Sequence, residues 1–292
     1  MESLTSRLKA SLRSVPLIVK VKRYIWELFN IHRARGKTNL DINSTFPLFE
    51  SASIGYYDLR AQLTIESINE LIPLLLSLTS NLGYRKVRTV DLSSMTVSED
   101  ILSKANQLKD LLLKYGSDKA STNNYHLLYA SVFPTTAKNI LEIGLGTNDS
   151  SIVSHMGNTG HPGSSLRAFR DYAPAANVYG ADIDSKIMFS EERIKTFVVD
   201  QTKDESMKEL KNALPDELDL VIDDGLHAPN ANIRTLELGL SKIKVGGWVI
   251  IEDIGWKAAP LWELIGAILP DQYDVTLYKT KSAYLFAVQR LS

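Results

Sequence analysis

The sequence predicts an α/β protein: a doubly wound, mostly parallel, seven-stranded sheet, preceded by a smaller N-terminal region of helical and α+β character. Three observations predict it. From about residue 115, short continuous apolar runs alternate with stretches of helical periodicity. Buried parallel strands read as such runs because helices cover both of their faces. The first five runs are separated by helical stretches, whereas the final two are joined by a short loop, as in an antiparallel hairpin. Several runs also end in acidic residues, and in open α/β sheets ligands gather at the carboxyl ends of the strands.

Residues 1–38 form a basic amphipathic segment. Of the 33 Lys/Arg and 34 Asp/Glu, nine basic and two acidic residues fall within 1–37. Ile18, Val21, Ile25, Leu28 and Phe29 recur at helical spacing beside Lys22, Arg23 and Trp26. Such a helix can make peripheral contact with an anionic membrane surface. It can equally pack on its own protein or on a second subunit of a homo-oligomer, with its basic face solvated.

Residues 39–114 read as a small α+β auxiliary or oligomerisation region. "TIESINELIPLLLSLTSNLG" places Ser67 and Glu70 at capping-box spacing and Gly83 as a stop, which predicts a helix with Pro73 in its early turns. "YRKVRTVDLS" alternates as a short strand does, and 98–114 has helical periodicity.

Residues 115–292 carry the wound sheet. Its strands are expected at 139–144, 177–182, 194–200, 218–224, 247–253 and in "YDVTLYK" and "AYLFAVQ". Helices are expected at 165–172, 205–213 and 231–243.

With 44% hydrophobic and 23% charged residues, the chain has the composition of a soluble globular protein. It has no cysteine, which excludes disulfides and thiolate metal sites and fits a reducing, cytoplasmic setting. Any metal must be held by oxygen or imidazole. "LIPLLLSL" is too short to span a bilayer, which takes about 20 apolar residues, and the start lacks the pattern of a signal peptide. The acidic balance beyond residue 37 argues against a nucleic-acid partner.

The strand ends carry the chemistry. The first run gives "LEIGLGTND", with Glu142, Gly144 and Gly146. Its glycines let a ligand approach the backbone, but the third glycine of a dinucleotide fingerprint is missing, which weakens a nicotinamide-cofactor reading. Asp182 and Asp184 follow the second run, and Asp200 with Gln201 the third. An acid two residues before the first glycine suits a cationic amino group; Asp182 suits a ribose and Asp200–Gln201 an adenine edge. Each acid alone reads as a turn or capping residue, but three acid-tipped strands in succession mark a binding edge. "VIDDGLHAPN" then sets Asp223, Asp224 and His227 behind an apolar run, and "GGWVIIED" ends in Glu252 and Asp253. Because strand neighbours face opposite sides, only one of each acidic pair points into a site unless the chain has turned. Asp223 is the candidate for the structural or cofactor-side member.

Three weaker features accompany these. His155 and His161 lie in a Gly/Ser-rich loop that reads as a lid or acceptor wall. Tyr125, His126 and Tyr129 either close over a ligand or pack under the sheet. Trp256 could stack on a sugar face.

The series "LEIGLG…YGADID…FVVDQ…LDLVIDDG…GGWVIIED" resembles the class I S-adenosylmethionine-dependent methyltransferases, with their Rossmann-like sheet. "YGSDKASTNNYHLLYASVF", "PGSSLRAFRDYAP" and "IDDGLHAPNANI" are similar to the metal-dependent sugar O-methyltransferases of macrolide biosynthesis, of mycinamicin and macrocin type. That resemblance implies a cofactor, S-adenosylmethionine, whose methionine part is lined by Glu142, Gly144 and Gly146, its ribose by Asp182, and its adenine by Asp200 and Gln201. It implies Mg²⁺ held by Asp224, Glu252 and Asp253, with His227 as base and a sugar or glycoconjugate as acceptor. The residue types agree: carboxylates without sulfur suit a hard cation, and a histidine can take a proton near neutral pH. A small-phenol (catechol-type) methyltransferase and a non-catalytic scaffold with the same fold are the alternatives.

Overall fold

Residues along a strand alternate between faces, and here the alternation sorts the core into two layers. The computed structural model describes residues 57–292 with the exception of 122 and 123. The basic segment 1–38 and residues 39–56 lie outside the described residues. The chain divides into two compact units, Met1–Glu70 and Leu71–Ser292, and the sheet belongs to the second.

In chain order the elements are α1 (Tyr57–Asn81), β1 (Arg88–Asp91), α2 (Glu99–Tyr115), α3 (Tyr125–Val132), β2 (Asn139–Ile143) and α4 (Ser164–Tyr172). There follow β3 (Asn177–Asp182), β4 (Ser190–Glu191), β5 (Ile194–Val198), α5 (Asp204–Ala213), β6 (Leu218–Asp223) and α6 (Pro229–Lys242). The series closes with β7 (Ile243–Ile254), α7 (Ala259–Ile268), β8 (Tyr273–Lys279) and β9 (Tyr284–Arg290). The sheet order is β1-β8-β9-β7-β6-β2-β3-β5-β4. Strands β7, β6, β2, β3 and β5 run parallel, and β9 is inserted antiparallel between β7 and β8. From β2 the chain winds outward through β3 and β5, then returns to the other side of β2 for β6 and β7. The switch point therefore lies between β2 and β6.

The seven expected strands are all present, and two more join them. β4 is a two-residue strand turned back on β5. β1 pairs in parallel with β8, from Arg88 opposite Thr276 to Asp91 opposite Lys279. β1 thereby belongs with the wound sheet to the unit Leu71–Ser292. The physical reason is that a lone strand cannot satisfy its backbone groups, and β8 offers an open edge. α2 is likewise part of this core: it buries Ala105, Leu108 and Leu112, begins at the Ser98 cap and stops at Gly116, whose φ is 80°. The helix before it also differs from expectation. α1 starts at Tyr57, so Ser67 lies inside it rather than at its cap, and Pro73 is accommodated in its interior.

On one face of the sheet, Leu108, Leu128, Tyr129, Phe133 and Phe169 of the α2–α4 layer pack on Ile140, Leu220, Ile222 and Ile250. On the other, Met207, Leu210, Leu236 and Trp262 of the α5–α7 layer pack on Leu141, Val221, Val249 and Ile251. The even-numbered Ile140, Leu220, Ile222 and Ile250 thus face the first layer, and the odd-numbered Leu141, Val221, Val249 and Ile251 the second. No helix of the described residues is long and apolar enough to cross a membrane.

Candidate active site

The same alternation continues past the apolar part of each strand. Glu142 on β2, Asp224 just beyond β6 and Glu252 on β7 occupy even positions on three adjacent strands, which lie about 4.8 Å apart in such sheets. Their carboxylates converge on one side chain, Lys119, in the short 3-10 turn before α3. Its Nζ donates to Asp224 Oδ2 at 2.5 Å and Glu252 Oε2 at 2.6 Å, and lies 3.2 Å from Glu142 Oε1. The lysine side chain is 3% exposed. Burial alone would lower its pKa, but Asp224, Glu252 and Glu142 outweigh this and hold it well above the value of a free lysine. Burial pushes Glu142 and Glu252 up, with Lys119 drawing both the other way.

Two tyrosines of α3 complete this wall. Tyr129 donates to Glu252, and Tyr125 donates to Asp253 Oδ1 at 2.5 Å. Of the two roles open to these residues, the structure therefore places Tyr125 and Tyr129 against the acidic cluster. His126, between them, is buried, and its Nδ1 lacks a hydrogen bond.

Strand parity also settles the acidic pairs. Asp223, at an odd position, is fully buried on the α6 side, where it accepts from Gln201 Nε2 at 2.8 Å and Asn232 Nδ2 at 3.1 Å. Its bonds serve the fold, and it is not among the residues that line the cleft described below, although it was expected among the cofactor-binding residues. Glu252 and Asp253 both reach one cavity because β7 bulges between Ile251 and Ile254, with Asp253 at φ 54°. His227 has φ 57°. Left-handed backbone at two non-glycine residues is strain of the kind that clusters at functional sites.

Beyond the switch point lies a cleft of about 320 Å³, lined by Gly144, Gly146, Asp182, Asp200, Gln201 and Asp224 among others. Gly144 has φ 102°, and a Cβ there would meet the Asp224 carbonyl oxygen at 2.0 Å, so only glycine lets the tips of β2 and β6 come this close. Asp182 accepts from the backbone of Leu145 at 2.8 Å and of Asp184 at 3.0 Å, which fixes its carboxylate at the cleft wall. Asp200 caps its own turn, accepting from Thr202 N at 2.9 Å. Gln201 turns its amide to Asp223, Thr235 and Leu226 N, so its polar atoms serve the fold behind the cleft. Glu142 does not line the cleft: it is fully buried and accepts from Ser165 Oγ at 2.5 Å, with Oε1 outside hydrogen-bond geometry.

Of the three acids expected to hold a metal, Asp224 and Asp253 lie with His227 in a group that could hold one. Asp224, His227 and Asp253 each bring a ligand atom within 4.8 Å of the others. Glu252 is drawn away by Lys119 and Tyr129. Asp224 divides its oxygens: Oδ2 accepts from Lys119, while Oδ1 lies 3.9 Å from His227 Nε2. A second chamber beside this cluster is walled by His155, Met156, His161, Ser165 and His227. Trp256 stands edge-on to Tyr284 at 4.9 Å, with its ring 43% exposed.

Sequence reasoning missed Lys119. Its signal was present, since "GSDK" sits in a phrase used for the resemblance, but a lysine after an aspartate reads as solvated until the carboxylates are seen to converge on it.

No protein-family model matches the chain. Over 150 residues it is 31% identical to the 8-demethyl-8-alpha-L-rhamnosyl tetracenomycin-C 2'-O-methyltransferase of Streptomyces olivaceus, covering 50% of this chain and 37% of that one. Over 123 residues it is 35% identical to the mycinamicin VI 2''-O-methyltransferase of Micromonospora griseorubida, covering 41% and 27%. The chain thus spans only about a third of the length of these relatives. The structure of the MycE methyltransferase from the mycinamycin biosynthetic pathway, with Mg, SAH and mycinamycin VI, superposes with a TM-score of 0.51 at 24% identity, covering 63% of this chain and 53% of that one. The chain therefore resembles the macrolide-type sugar O-methyltransferases, and its sheet is the Rossmann-like fold of class I S-adenosylmethionine-dependent methyltransferases.

Proposed function

We propose that the protein is an S-adenosylmethionine-dependent O-methyltransferase that methylates a hydroxyl of a sugar or glycoconjugate, assisted by Mg²⁺. The observation that carries this reading is the position of Asp224, which lines the cofactor-sized cleft and also belongs to the cation-binding cluster. Transfer of a methyl group to a hydroxyl needs cofactor and acceptor on either side of one point, and Asp224 marks it. The relatives' names supply the acceptor class.

The cleft fits the nucleoside. Asp182 faces it as a carboxylate fixed for two hydroxyls, and Ile143, Ile183, Val199 and Leu226 offer apolar walls. Glu142 and the glycines lie toward the methionine end. The donors Asp224 and Asp253 fit a hard divalent cation, with His227 beside them.

When bound, S-adenosylmethionine supplies a methyl group on a positively charged sulfur, and a divalent cation would orient and acidify the acceptor hydroxyl. The protein's own residues do the rest. His227 takes the hydroxyl proton as the oxygen attacks, and Asp224 Oδ1 beside it stabilises the imidazolium that results. Tyr125 fixes Asp253, and Lys119 and Tyr129 fix the wall behind. Apolar cleft residues exclude water, so alignment of oxygen, methyl and sulfur supplies much of the rate.

Calorimetric titration with S-adenosylhomocysteine, with NAD as control, tests the cofactor. Micromolar binding, about −8 kcal/mol, and silence with NAD are the expected result; no nucleoside binding removes the proposal. His227→Ala separates base from ligand. As base, its loss lowers kcat by about 10²–10⁴ and leaves cation affinity unchanged; as ligand, its loss weakens the cation instead.

A further inference from the structure

Lys119 has a place in this arrangement that packing does not require. A buried ammonium with one carboxylate partner would be neutralised; this one is shared by three, drawn from three neighbouring strands. The three are not equivalent. Glu142 is fully buried behind Ser165, which lines the chamber next to the cleft, whereas Asp224 and Glu252 form the wall of the cavity that also holds Asp253 and Tyr125. Lys119 lines that cavity and also the adjoining chamber, which shares Gly144, Gly146 and Asp224 with the cleft.

We infer that Lys119 is a positioning residue that couples the cofactor pocket to the cation pocket, so that filling one changes the affinity of the other. This rests on the methyltransferase reading above. The physical route is competition for shared acceptors. The ammonium has three donors to divide among three carboxylates, so a pull on one is felt by the other two. A cationic group entering the chamber lined by Gly144, Ser165 and Lys119 repels the ammonium and draws on Glu142, whose Oε1 lies 3.2 Å from Lys119 Nζ, and leaves Lys119 to bear more fully on Asp224 Oδ2 and Glu252. A divalent cation on the other oxygen of Asp224 acts in reverse, drawing that carboxylate from Lys119 and turning the ammonium toward Glu142. Because Asp224 presents a different oxygen to each side, the two ligands need not touch in order to sense each other. Linkage makes the effect reciprocal.

S-adenosylhomocysteine is the suitable probe. Its amino-acid head carries one positive and one negative charge, so its direct electrostatic effect on a nearby dication is small, and coupling that passes through Lys119 stands out. The experiment is calorimetric titration of S-adenosylhomocysteine into the full chain, once with saturating Mg²⁺ and once with EDTA, for the unaltered protein and for Lys119→Met. The expected result is a ratio of dissociation constants of at least about fivefold between the two conditions in the unaltered protein. In Lys119→Met that ratio collapses to near one while nucleoside binding persists. A purely structural lysine would weaken both titrations together and leave their ratio alone.

Should Lys119→Met fail to fold by circular dichroism, Glu142→Gln serves in its place. It removes the charge on the cofactor side, keeps the side-chain shape, and leaves the bonds from Lys119 to Asp224 and Glu252 intact. The ratio is expected to collapse there as well. Binding of the nucleoside with a ratio near one in the unaltered protein overturns the coupling and leaves the methyltransferase reading standing. A ratio that survives either folded variant also overturns it. Absence of nucleoside binding in both conditions removes the methyltransferase reading and the coupling together.

Discussion

At a strand tip, one position decides whether a carboxylate meets solvent-facing chemistry or the inside of the fold. Asp223 points to α6 and accepts from Gln201 and Asn232; Asp224, next in sequence, faces Lys119 and His227. The opposition of the two was legible in the sequence, because parity sets neighbouring strand residues on opposite sides, but it left Asp223 between a structural and a cofactor-side role. What parity could not show was a cation brought from a loop 105 positions earlier, since that convergence exists only after folding. The same holds for His126, which sequence reasoning left open between two roles. It is buried, and burial, with a contribution from Lys109, lowers its pKa from 6.5 to about 4. A histidine with a depressed folded pKa contributes stability that is complete above its unfolded value. That stability is lost as pH falls through 6.5 toward about 4. Replacing His126 by Leu removes the titration and also the unpartnered Nδ1. Urea unfolding at neutral pH and at about pH 4.5 should therefore show an acid-induced loss smaller by about 2–3 kcal/mol in His126→Leu. Equal losses in both proteins would mean that His126 is protonated without penalty in the fold.

Among the elements, β2, β6 and β7 matter most, because their tips build the site. The strands were legible as apolar runs, and β3 spans the residues expected of it, Asn177–Asp182. Less legible was the bulge in β7, where the extra residue brings Asp253 round to the side of Glu252. Nothing in "IIEDIG" announces it, since isoleucines and acids fit a straight strand equally well, and it is the pairing with β9 that displaces the register. Gly144 shows how closely two elements depend on each other. Its φ of 102° and the approach of Asp224 O leave no room for a methyl group. Gly144→Ala should cost about 1–3 kcal/mol in backbone strain and overpacking. It should also part the tips of β2 and β6, weakening S-adenosylhomocysteine binding more than tenfold. A variant that binds the nucleoside with unchanged affinity would show that the two tips need not lie this close.

For the molecule as a whole, the wound sheet was legible from periodicity, whereas its edges were not. β1 carries only four residues, too few for periodicity to reveal that their partner is β8, 188 positions away. Edge position has a measurable result. β6 is buried at every residue from Leu218 to Asp223 and has a parallel neighbour on each side. Its amides should exchange with solvent only on global unfolding, while those of β1, paired on one side alone, open locally and exchange first. Equal protection of the two strands by hydrogen exchange would contradict this ordering. The insertion of β9 between β7 and β8 has a consequence for how the protein is made. Residues 284–290 follow every other strand in sequence yet lie in the interior of the sheet. As a growing chain leaves the ribosome, β7 must wait with one edge bare, and the β1–β8 pair has no strand to join it to the rest of the sheet, until that segment emerges. The nascent protein should therefore keep adhesive strand edges until residues 284–290 are out, and its chief need for a chaperone falls in that interval.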